Sequence, residues 1–482
     1  MSIKNAGLCD FFDSKNIGLC DFFLIFVPNY VKNVTVMLKR KIDNVLIEWK
    51  KRENKKPLII KGARQIGKTM SIRHFAENNY KYVVEVNFAL QNQYCGIFNY
   101  GFEVDNIIKN ITLLNPSLKF VPGETLIFFD ELQACPSCAT SLKSFKLDGR
   151  YDVICSGSLM GVYYQQIESN SVGYKEDIVM HSMDFEEFLW ACGYDNTLIE
   201  DLFSHMFELK PLSRLMMQRM TDLFRDYMVL GGMPEVVNTY VSQGNFSGVL
   251  SLQQQLLQDY EEDITKYAVG MEKAKVLAVY RHISTFLAQE NKRFQVTKLS
   301  NTARNRQYIG AVEWLENAGI INVCYCLHEL SLPLKGNYNP KLYKVYYSDT
   351  GLLISSLDNE AQEDLRKNKN FATYKGAIYE NIVADMLVKQ GYDLYYYHKD
   401  KPSFEMDFFV RSANYLWPME VKANNRASAS LNKLTDSTNQ KYSKDIKYGI
   451  KLCAANIGFN GHFYTFPYFL TFLLKRWMRE QE

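Results

Sequence analysis

Apolar and polar positions follow one another along the chain with periods that change between segments. Apolar-rich runs of strand length occupy residues 58–60, 82–88, 126–129 and 151–155, interrupted only by Glu85, Asn87 and Asp152, and helical spacing follows the first two. Such runs are typical of strands buried on both faces of a parallel sheet. From residue 185 to about residue 289 the helical spacing continues without such runs. The pattern predicts an α/β domain followed by a helical domain.

A basic stretch follows the helical segment. The order of short helix, turn, longer helix and strand between residues 291 and 327 predicts a winged helix. Five basic residues precede its second helix: Lys292, Arg293, Lys298, Arg304 and Arg306. Such a patch can contact nucleic-acid phosphates, and a role as a protein contact or spacer explains the same charges equally well.

The C-terminal part combines an amphipathic helix pattern at residues 374–387 with strand-like runs at residues 394–398, 405–410 and 417–423. A further strand pattern and an apolar helix follow, and charged residues interrupt that helix too often for a membrane span. We therefore predict a second α/β domain in this part of the chain.

Composition excludes several classes of function. A net charge of +3 with 23% charged residues gives no overall nucleic-acid or membrane signature, so any basic surface must be local. The ten cysteines are scattered, and neither close pair, Cys135/Cys138 or Cys324/Cys326, has the second pair that a zinc site needs. In the absence of a signal-peptide pattern, this usage predicts a reduced, cytoplasmic protein without a membrane segment.

The first 36 residues differ from the rest of the chain. Residues 4–12 recur almost unchanged as residues 15–23, a period of 11. Two copies do not make a repeat fold. An amphipathic helix pattern begins at Met37. Our hypothesis is that residues 1–36 are a duplicated, non-native extension and that Met37 is the functional N-terminus.

A glycine-flanked loop follows the first apolar run. Its pattern is Gly62-x-x-x-x-Gly67-Lys68-Thr69, and a helical pattern comes next. In this motif backbone N–H groups surround a polyphosphate, the lysine reaches the β- and γ-phosphates, and the Thr hydroxyl ligates Mg²⁺. The predicted nucleotide-binding residues are Gly62, Ala63, Arg64, Gln65, Ile66, Gly67, Lys68, Thr69 and Met70.

Two carboxylates follow the third apolar run, at Asp130 and Glu131. In this Walker B pattern, Asp130 is predicted to hold Mg²⁺ and Glu131 to polarise the attacking water. In ATPases with such a glutamate, a further strand lies between the P-loop and Walker B strands and ends in a polar residue that contacts the γ-phosphate or the water. Ser156 and Ser158 are the candidates here, and a simple strand-end turn is the alternative.

Together these motifs resemble the bacterial and archaeal AAA-like P-loop ATPases that carry a C-terminal domain of unknown function similar to a nuclease. The resemblance also rests on residues 184–189, 231–237 and 347–353 and extends from about residue 37 to the C-terminus. It implies that the helical segment is a lid over the nucleotide. Ser156 stands where such proteins usually have threonine, which keeps a hydroxyl group.

The C-terminal part holds a second set of candidate catalytic residues. Asp407 begins one strand, Glu420 and Lys422 lie two apart on another and share a face, and Glu380 lies on the preceding helix. This order resembles the PD-(D/E)xK nuclease superfamily. It predicts that Asp407, Glu420 and Glu380 hold Mg²⁺ or Mn²⁺ and that Lys422 lies beside the activated water. A fold that persists without catalysis is the alternative.

The predicted fold class is α/β: a P-loop NTPase parallel sheet (residues 37–184), a helical lid (185–289), a winged helix (290–350) and a restriction-endonuclease-like α/β domain (351–482). The predicted function is Mg²⁺-dependent ATP hydrolysis, coupled to binding or cleavage of DNA or RNA. The alternatives are a nucleotide-gated switch and a protein-remodelling ATPase, each with a catalytically inactive C-terminal binding module. A protein partner or a second copy of the chain is then expected.

Overall fold

Two β-sheets organise the part of the chain that the computed structural model describes. The described residues are 37–157, 171–268, 271–287, 294, 308–357, 359–367, 373–399, 404–422, 428–436 and 443–482. They belong to one compact unit. Among them, no helix is both long and apolar enough to cross a membrane.

The first sheet is parallel throughout. Its strands are β1 (Leu58–Lys61), β2 (Tyr82–Asn87), β3 (Thr125–Asp130), β4 (Asp152–Gly157) and β5 (Glu176–Val179). Their order across the sheet is β2-β3-β4-β1-β5. Because β4 lies between β1 and β3, the prediction of a strand between the P-loop and Walker B strands is confirmed. The carboxyl ends of β1, β3 and β4 therefore meet at one edge.

Helices cover both faces of the first sheet. They are α1 (Lys41–Lys51), α2 (Lys68–Asn79), α3 (Val104–Leu114) and α4 (Pro136–Asp148). On β3, Ile127 and Phe129 pack in the same core as α3 and α4, whereas Leu126 and Phe128 pack in the core that contains α1 and α2. All four side chains are fully buried. The continuous apolar run of β3 thus reflects burial on two faces, as predicted.

The helical pattern predicted from residue 185 onward is confirmed for the described residues. The helices are α5 (Phe185–Ala191), α6 (Asn196–Phe207), α7 (Arg214–Leu230), α8 (Pro234–Gln243), α9 (Val249–Tyr267) and α10 (Met271–Leu287). A capping box begins α5, in which Asp184 accepts a hydrogen bond from the Glu187 N–H and Glu187 accepts one from the Asp184 N–H.

The second sheet has eight strands and follows helix α11 (Ile309–Asn317). The strands are β6 (Ile321–Leu327), β7 (Tyr338–Tyr347), β8 (Leu394–Lys399), β9 (Phe404–Arg411), β10 (Leu416–Val421), β11 (Gly449–Cys453), β12 (Gly458–Phe459) and β13 (Phe463–Pro467). Their order across the sheet is β12-β13-β11-β10-β9-β8-β6-β7.

Strands β6 and β7 differ from the expectation of a separate winged helix. They pair with each other, and β6 also pairs in parallel with β8, so both belong to the second sheet. The physical reason is that β6 is buried almost throughout, so its backbone N–H and C=O groups need a partner strand along each edge. Strands on both sides of the boundary expected at residue 350 therefore belong to one sheet. The five basic residues Lys292, Arg293, Lys298, Arg304 and Arg306 lie outside the described residues.

The remaining helices are α12 (Thr350–Ser355), α13 (Ala361–Arg366), α14 (Thr373–Lys389), α15 (Ala429–Thr435) and α16 (Leu474–Glu480). From α14 onward the elements follow the order α14, β8, β9, β10, α15, β11. Strands β8 to β10 form an antiparallel meander, and β11 is parallel to β10.

Candidate nucleotide site and C-terminal carboxylate cluster

The loop between β1 and α2 has a backbone that requires glycine at both ends. Gly67 has φ +92° and directly precedes α2. A Cβ on Gly62 would lie 2.3 Å from the carbonyl oxygen of Met180 and 2.5 Å from Cδ1 of Ile66. Larger residues would therefore displace the loop. The N-terminus of α2 directly follows it, as anion binding at a helix start requires.

Lys68 is buried beneath the loop. Its Nζ donates hydrogen bonds to the carbonyl oxygens of Gly62, at 3.0 Å, and Ala63, at 2.5 Å. Burial, with a smaller contribution from the neighbouring Arg64, lowers the pKa of Lys68 to about 8 against the opposing effect of the Glu131 and Asp130 carboxylates. The ammonium group is therefore held at the loop and is poised to exchange backbone carbonyls for phosphate oxygens.

Asp130 is the centre of a buried polar network at the carboxyl edge of the first sheet. It accepts hydrogen bonds from Thr69 Oγ1 at 3.1 Å, from Asn87 Nδ2 at 2.8 Å and from the Ser156 hydroxyl group. Its side chain is almost fully buried. The structure thus brings the predicted Thr69 and Asp130 together. Asn87 was not predicted as a site residue, although it ends β2, the strand directly beside β3. The predicted Ser156 contacts Asp130.

Glu131 adopts a backbone conformation that is uncommon for residues other than glycine. Its φ and ψ are +58° and +51°, in the left-handed region. Such a conformation costs about 1–3 kcal/mol and is frequent at functional sites. Its carboxylate accepts a hydrogen bond from Gln133 Nε2. The sharp turn after β3 therefore fixes the direction of the Glu131 side chain. Ser158 lies outside the described residues.

Other residues of the loop contact helix α9. Gln65 Nε2 donates to Asp259 Oδ2 at 2.6 Å, and Arg64 forms an ion pair with Asp263 at 2.9 Å. The hydroxyl group of Tyr260 donates to the Arg64 carbonyl oxygen at 2.9 Å. Ala63 and Ile66 are buried, whereas Met70 is about half exposed. The helical segment is thus bonded directly to the loop.

Arg40 is a contact that sequence reasoning missed. It is buried just before α1, and it donates to the carbonyl oxygens of Ile66 and His181, each at 2.8 Å. It also forms an ion pair with Glu187 at 3.1 Å. Arg40 therefore joins the loop, the chain after β5 and the start of α5. A basic residue before a helix gives no sequence signal for such contacts.

Two of the motifs in the family resemblance, residues 231–237 and 347–353, meet at Asp349, together with Ser182. Its carboxylate is buried and accepts hydrogen bonds from Ser182 Oγ at 2.8 Å, from the Gly232 N–H at 2.7 Å and from the Gly351 N–H at 3.0 Å. A Cβ on Gly231 would lie 2.0 Å from Asp349 Oδ1. This junction joins the first domain, the helical segment and the C-terminal part.

The C-terminal carboxylates lie on adjacent strands. The register Phe408↔Met419 places Asp407 of β9 beside Glu420 of β10. Lys422 Nζ lies 2.7 Å from Glu420 Oε1, and Asp407 Oδ2 accepts a hydrogen bond from the Val421 N–H at 2.8 Å. Burial lowers the pKa of Lys422, but the carboxylates of Glu420, Asp407 and Glu380 together outweigh burial, so the net pKa is raised. The structure thus brings Asp407, Glu420 and Lys422 together.

A buried lysine that was not predicted, Lys344 of β7, lies beside Glu380. The Lys344 Nζ is 3.8 Å from Glu380 Oε2 and 2.7 Å from Glu405 Oε1. Tyr346 donates a hydrogen bond to the same Glu380 oxygen at 3.3 Å. Lys344 lies 78 residues before Lys422 in the sequence, in a segment assigned to another domain, so no local pattern indicated the contact.

The metal site predicted from Asp407, Glu420 and Glu380 is not shown among the described residues. Among the described residues, no group of three or more His, Cys, Asp and Glu side chains is arranged to hold a metal ion. Glu380 faces Lys344, Glu420 pairs with Lys422, and Asp407 accepts a backbone N–H. The buried Glu420 Oε2 makes no hydrogen bond within the described part of the chain. A hard cation needs about six oxygen ligands, so this single oxygen does not form a metal site by itself.

Comparison with protein families gives three matches along the chain. Residues 54–189 match the AAA domain. Residues 221–363 match a domain of unknown function (DUF8612), and residues 375–469 match another (DUF4143). The first match supports an AAA-like P-loop ATPase domain. It covers β1 to β5 and therefore the loop, Asp130 and Glu131.

Several solved structures are similar to the chain at low identity. A Walker-type ATPase of Pyrococcus abyssi is 13% identical with a TM-score of 0.40, over 66% of this chain and 96% of that one. The Aeropyrum pernix Orc1 protein in complex with DNA is 12% identical with a TM-score of 0.27, over 71% of this chain and 95% of that one. The Thermotoga maritima RuvB Holliday junction branch migration motor is 11% identical with a TM-score of 0.29, over 59% of this chain and 89% of that one. No curated protein matches the chain in sequence.

The residues of the AAA-like P-loop ATPase domain fit a nucleotide with Mg²⁺. The Thr69 hydroxyl group lies within hydrogen-bond distance of Asp130, and these two types of ligand hold Mg²⁺ in P-loop enzymes. Asn87 and Ser156 hold the Asp130 carboxylate in place. The donor set is therefore suited to a hard cation beside the phosphates.

Proposed function

We propose that the chain binds ATP with Mg²⁺ at the loop of residues 62–69 and hydrolyses it. The observation that supports this best is the meeting of Lys68, Thr69, Asp130 and Glu131 at one sheet edge within an AAA-like P-loop ATPase domain. The Lys68 ammonium binds phosphate oxygens, and Thr69 and Asp130 hold the metal. Glu131 orients and polarises the attacking water. Bound Mg²⁺ neutralises charge on the phosphates.

Replacing Lys68 with alanine is expected to weaken ATP binding by about 10- to 100-fold, since a charge-assisted hydrogen bond contributes about 1.5–3 kcal/mol. Isothermal titration calorimetry with an ATP analogue and Mg²⁺ measures the affinity. Lys61→Ala is the matched control, because Lys61 ends β1 and pairs with Asp177 on the neighbouring strand. Equal affinities for Lys68→Ala and Lys61→Ala would remove the assignment of this loop.

ATP affinity is expected to fall as the pH rises above about 8. The pKa of Lys68 is lowered to about 8 from its usual 10.5, so the nucleotide-free protein loses this proton as the pH passes 8. Phosphate oxygens favour the ammonium, so binding at higher pH takes up a proton, and the affinity falls by up to about tenfold per pH unit. Titrations between pH 7 and 9.5 measure this slope. Lys68→Arg, which does not titrate in this range, is expected to flatten it.

In this proposal, binding of a nucleotide at the loop affects the rest of the chain through direct contacts. The loop is bonded to α9 through Gln65 and Arg64, and Asp349 joins the first domain to the helical segment and the C-terminal part. In this proposal, phosphate binding at the loop alters the contacts of Gln65 and Arg64 with α9. The helical segment therefore acts as a lid whose position follows the nucleotide.

For the C-terminal part we propose a binding module that the ATPase repositions. The contact of Glu380 with Lys344 favours this candidate. The competing proposal is metal-dependent cleavage of DNA or RNA, which the order α14, β8, β9, β10, α15, β11 and the proximity of Asp407, Glu420 and Lys422 support. DNA or RNA, a protein partner and a second copy of the chain remain proposed partners, and a cytoplasmic location remains a prediction.

A further inference from the structure

Lys344 is enclosed by acidic and aromatic side chains in the second sheet. Its side chain is only 1% exposed. Its ammonium lies 2.7 Å from Glu405 Oε1, 3.8 Å from Glu380 Oε2 and 4.8 Å from the ring centre of Tyr396. An isolated buried ammonium is strongly unfavourable, so these groups are what make the position tolerable.

The backbone of β7 directs Lys344 toward the carboxylates. Lys344 and Tyr346 are two residues apart, so they share one face of the strand. Both contact Glu380, which lies on α14. Glu380 is itself buried, and its carboxylate needs a compensating charge. The nearby Lys344 provides that charge through a contact between separate elements.

Glu420, another carboxylate of this cluster, also lies beside lysines. Glu420 pairs with Lys422 at 2.7 Å. The register between β10 and β11 places the buried Lys451 next to Glu420. An ammonium repels a divalent cation that approaches the same oxygens, and the repulsion is strong in a buried site of low dielectric constant.

We infer that Lys344 takes the place of a divalent cation in the C-terminal carboxylate cluster, so that this part of the chain is neutralised from within and acts without a metal. The inference concerns residues outside the nucleotide site and is independent of ATP hydrolysis. It predicts that removal of the Lys344 ammonium makes a cation favourable at this position, because the positive charge between Glu380 and Glu405 is then gone while Tyr346 and His398 remain beside them.

Electron paramagnetic resonance of Mn²⁺ with the nucleotide-free full chain tests the inference. Wild type and Glu420→Gln are expected to bind the same number of Mn²⁺ ions, whereas Lys344→Met is expected to bind one more. Lys344→Met is also expected to unfold at a lower temperature, and Mn²⁺ is expected to raise that temperature by at least about 3 °C.

Lys389→Met is the matched control, because Lys389 is equally buried and pairs with Asp385 on α14 at 2.7 Å. It is expected to be destabilised without rescue by Mn²⁺. The inference is overturned if wild type binds one more Mn²⁺ than Glu420→Gln, a comparison that does not require Lys344→Met to fold. Mn²⁺-dependent cleavage of labelled DNA or RNA by wild type that Asp407→Ala abolishes would also overturn it. Neither result depends on ATP turnover.

Discussion

Replacing Glu131 with glutamine is expected to lower the rate of ATP hydrolysis by about 10²- to 10⁴-fold, the range that a positioned general base contributes. The amide keeps the size and the left-handed backbone of the residue but cannot accept a proton from water. ATP binding is expected to remain within about twofold of wild type, since Lys68, Thr69 and Asp130 are unchanged. Steady-state phosphate release and calorimetric titration measure the two quantities separately.

The matched control for this substitution is Glu85→Gln. Glu85 lies on β2 of the same sheet and pairs with Arg73 on the surface, with a shortest distance of 2.6 Å. Its replacement is expected to leave the rate within about twofold of wild type, because exposed ion pairs contribute about 1 kcal/mol or less to stability. If Glu131→Gln hydrolyses ATP as fast as Glu85→Gln, another residue activates the water.

The nucleotide site could be predicted because its chemistry is local in sequence. Gly62 to Thr69 form one loop, and Asp130 and Glu131 are adjacent at the end of an apolar run. Parallel pairing then brings the carboxyl ends of the strands together, so strand order follows from few assumptions. Asn87 could have been predicted in the same way, because it ends β2, the strand next to β3.

The contacts that join the domains could not be predicted in this way. Arg40 reaches His181 across 141 residues, and Ser182 reaches Asp349 across 167 residues. The spacing of apolar residues along the chain carries no information about a contact between residues so far apart in the sequence. The same limit explains β6, whose apolar pattern predicts a strand but does not identify β8 as its partner. It also explains why Lys344 was missed: its carboxylate partners lie on α14 and β9.

The junction around Asp349 leaves very little space for a side chain at Gly232. Gly232→Ala is therefore expected to lower the free energy of unfolding by more than about 4 kcal/mol, a loss that is typical only of severe disruption of a protein core. The added Cβ would lie 1.9 Å from the Met183 carbonyl oxygen. Neither side can yield easily, since the Gly232 N–H donates to Asp349 at 2.7 Å and its carbonyl oxygen accepts from the Met183 N–H at 2.7 Å. Thermal and urea unfolding measure the loss.

Gly458→Ala isolates the steric effect, because a Cβ at Gly458 meets no atom within 4 Å among the described residues, and neither glycine has a positive φ. The control is expected to change stability by less than about 1 kcal/mol. Equal unfolding midpoints for the two variants would mean that the junction yields without cost. A large loss confined to Gly232→Ala would show instead that the chain after β5 and the start of α8 are held rigidly together. That rigidity is what a lid needs if nucleotide binding at the loop is to move the C-terminal part.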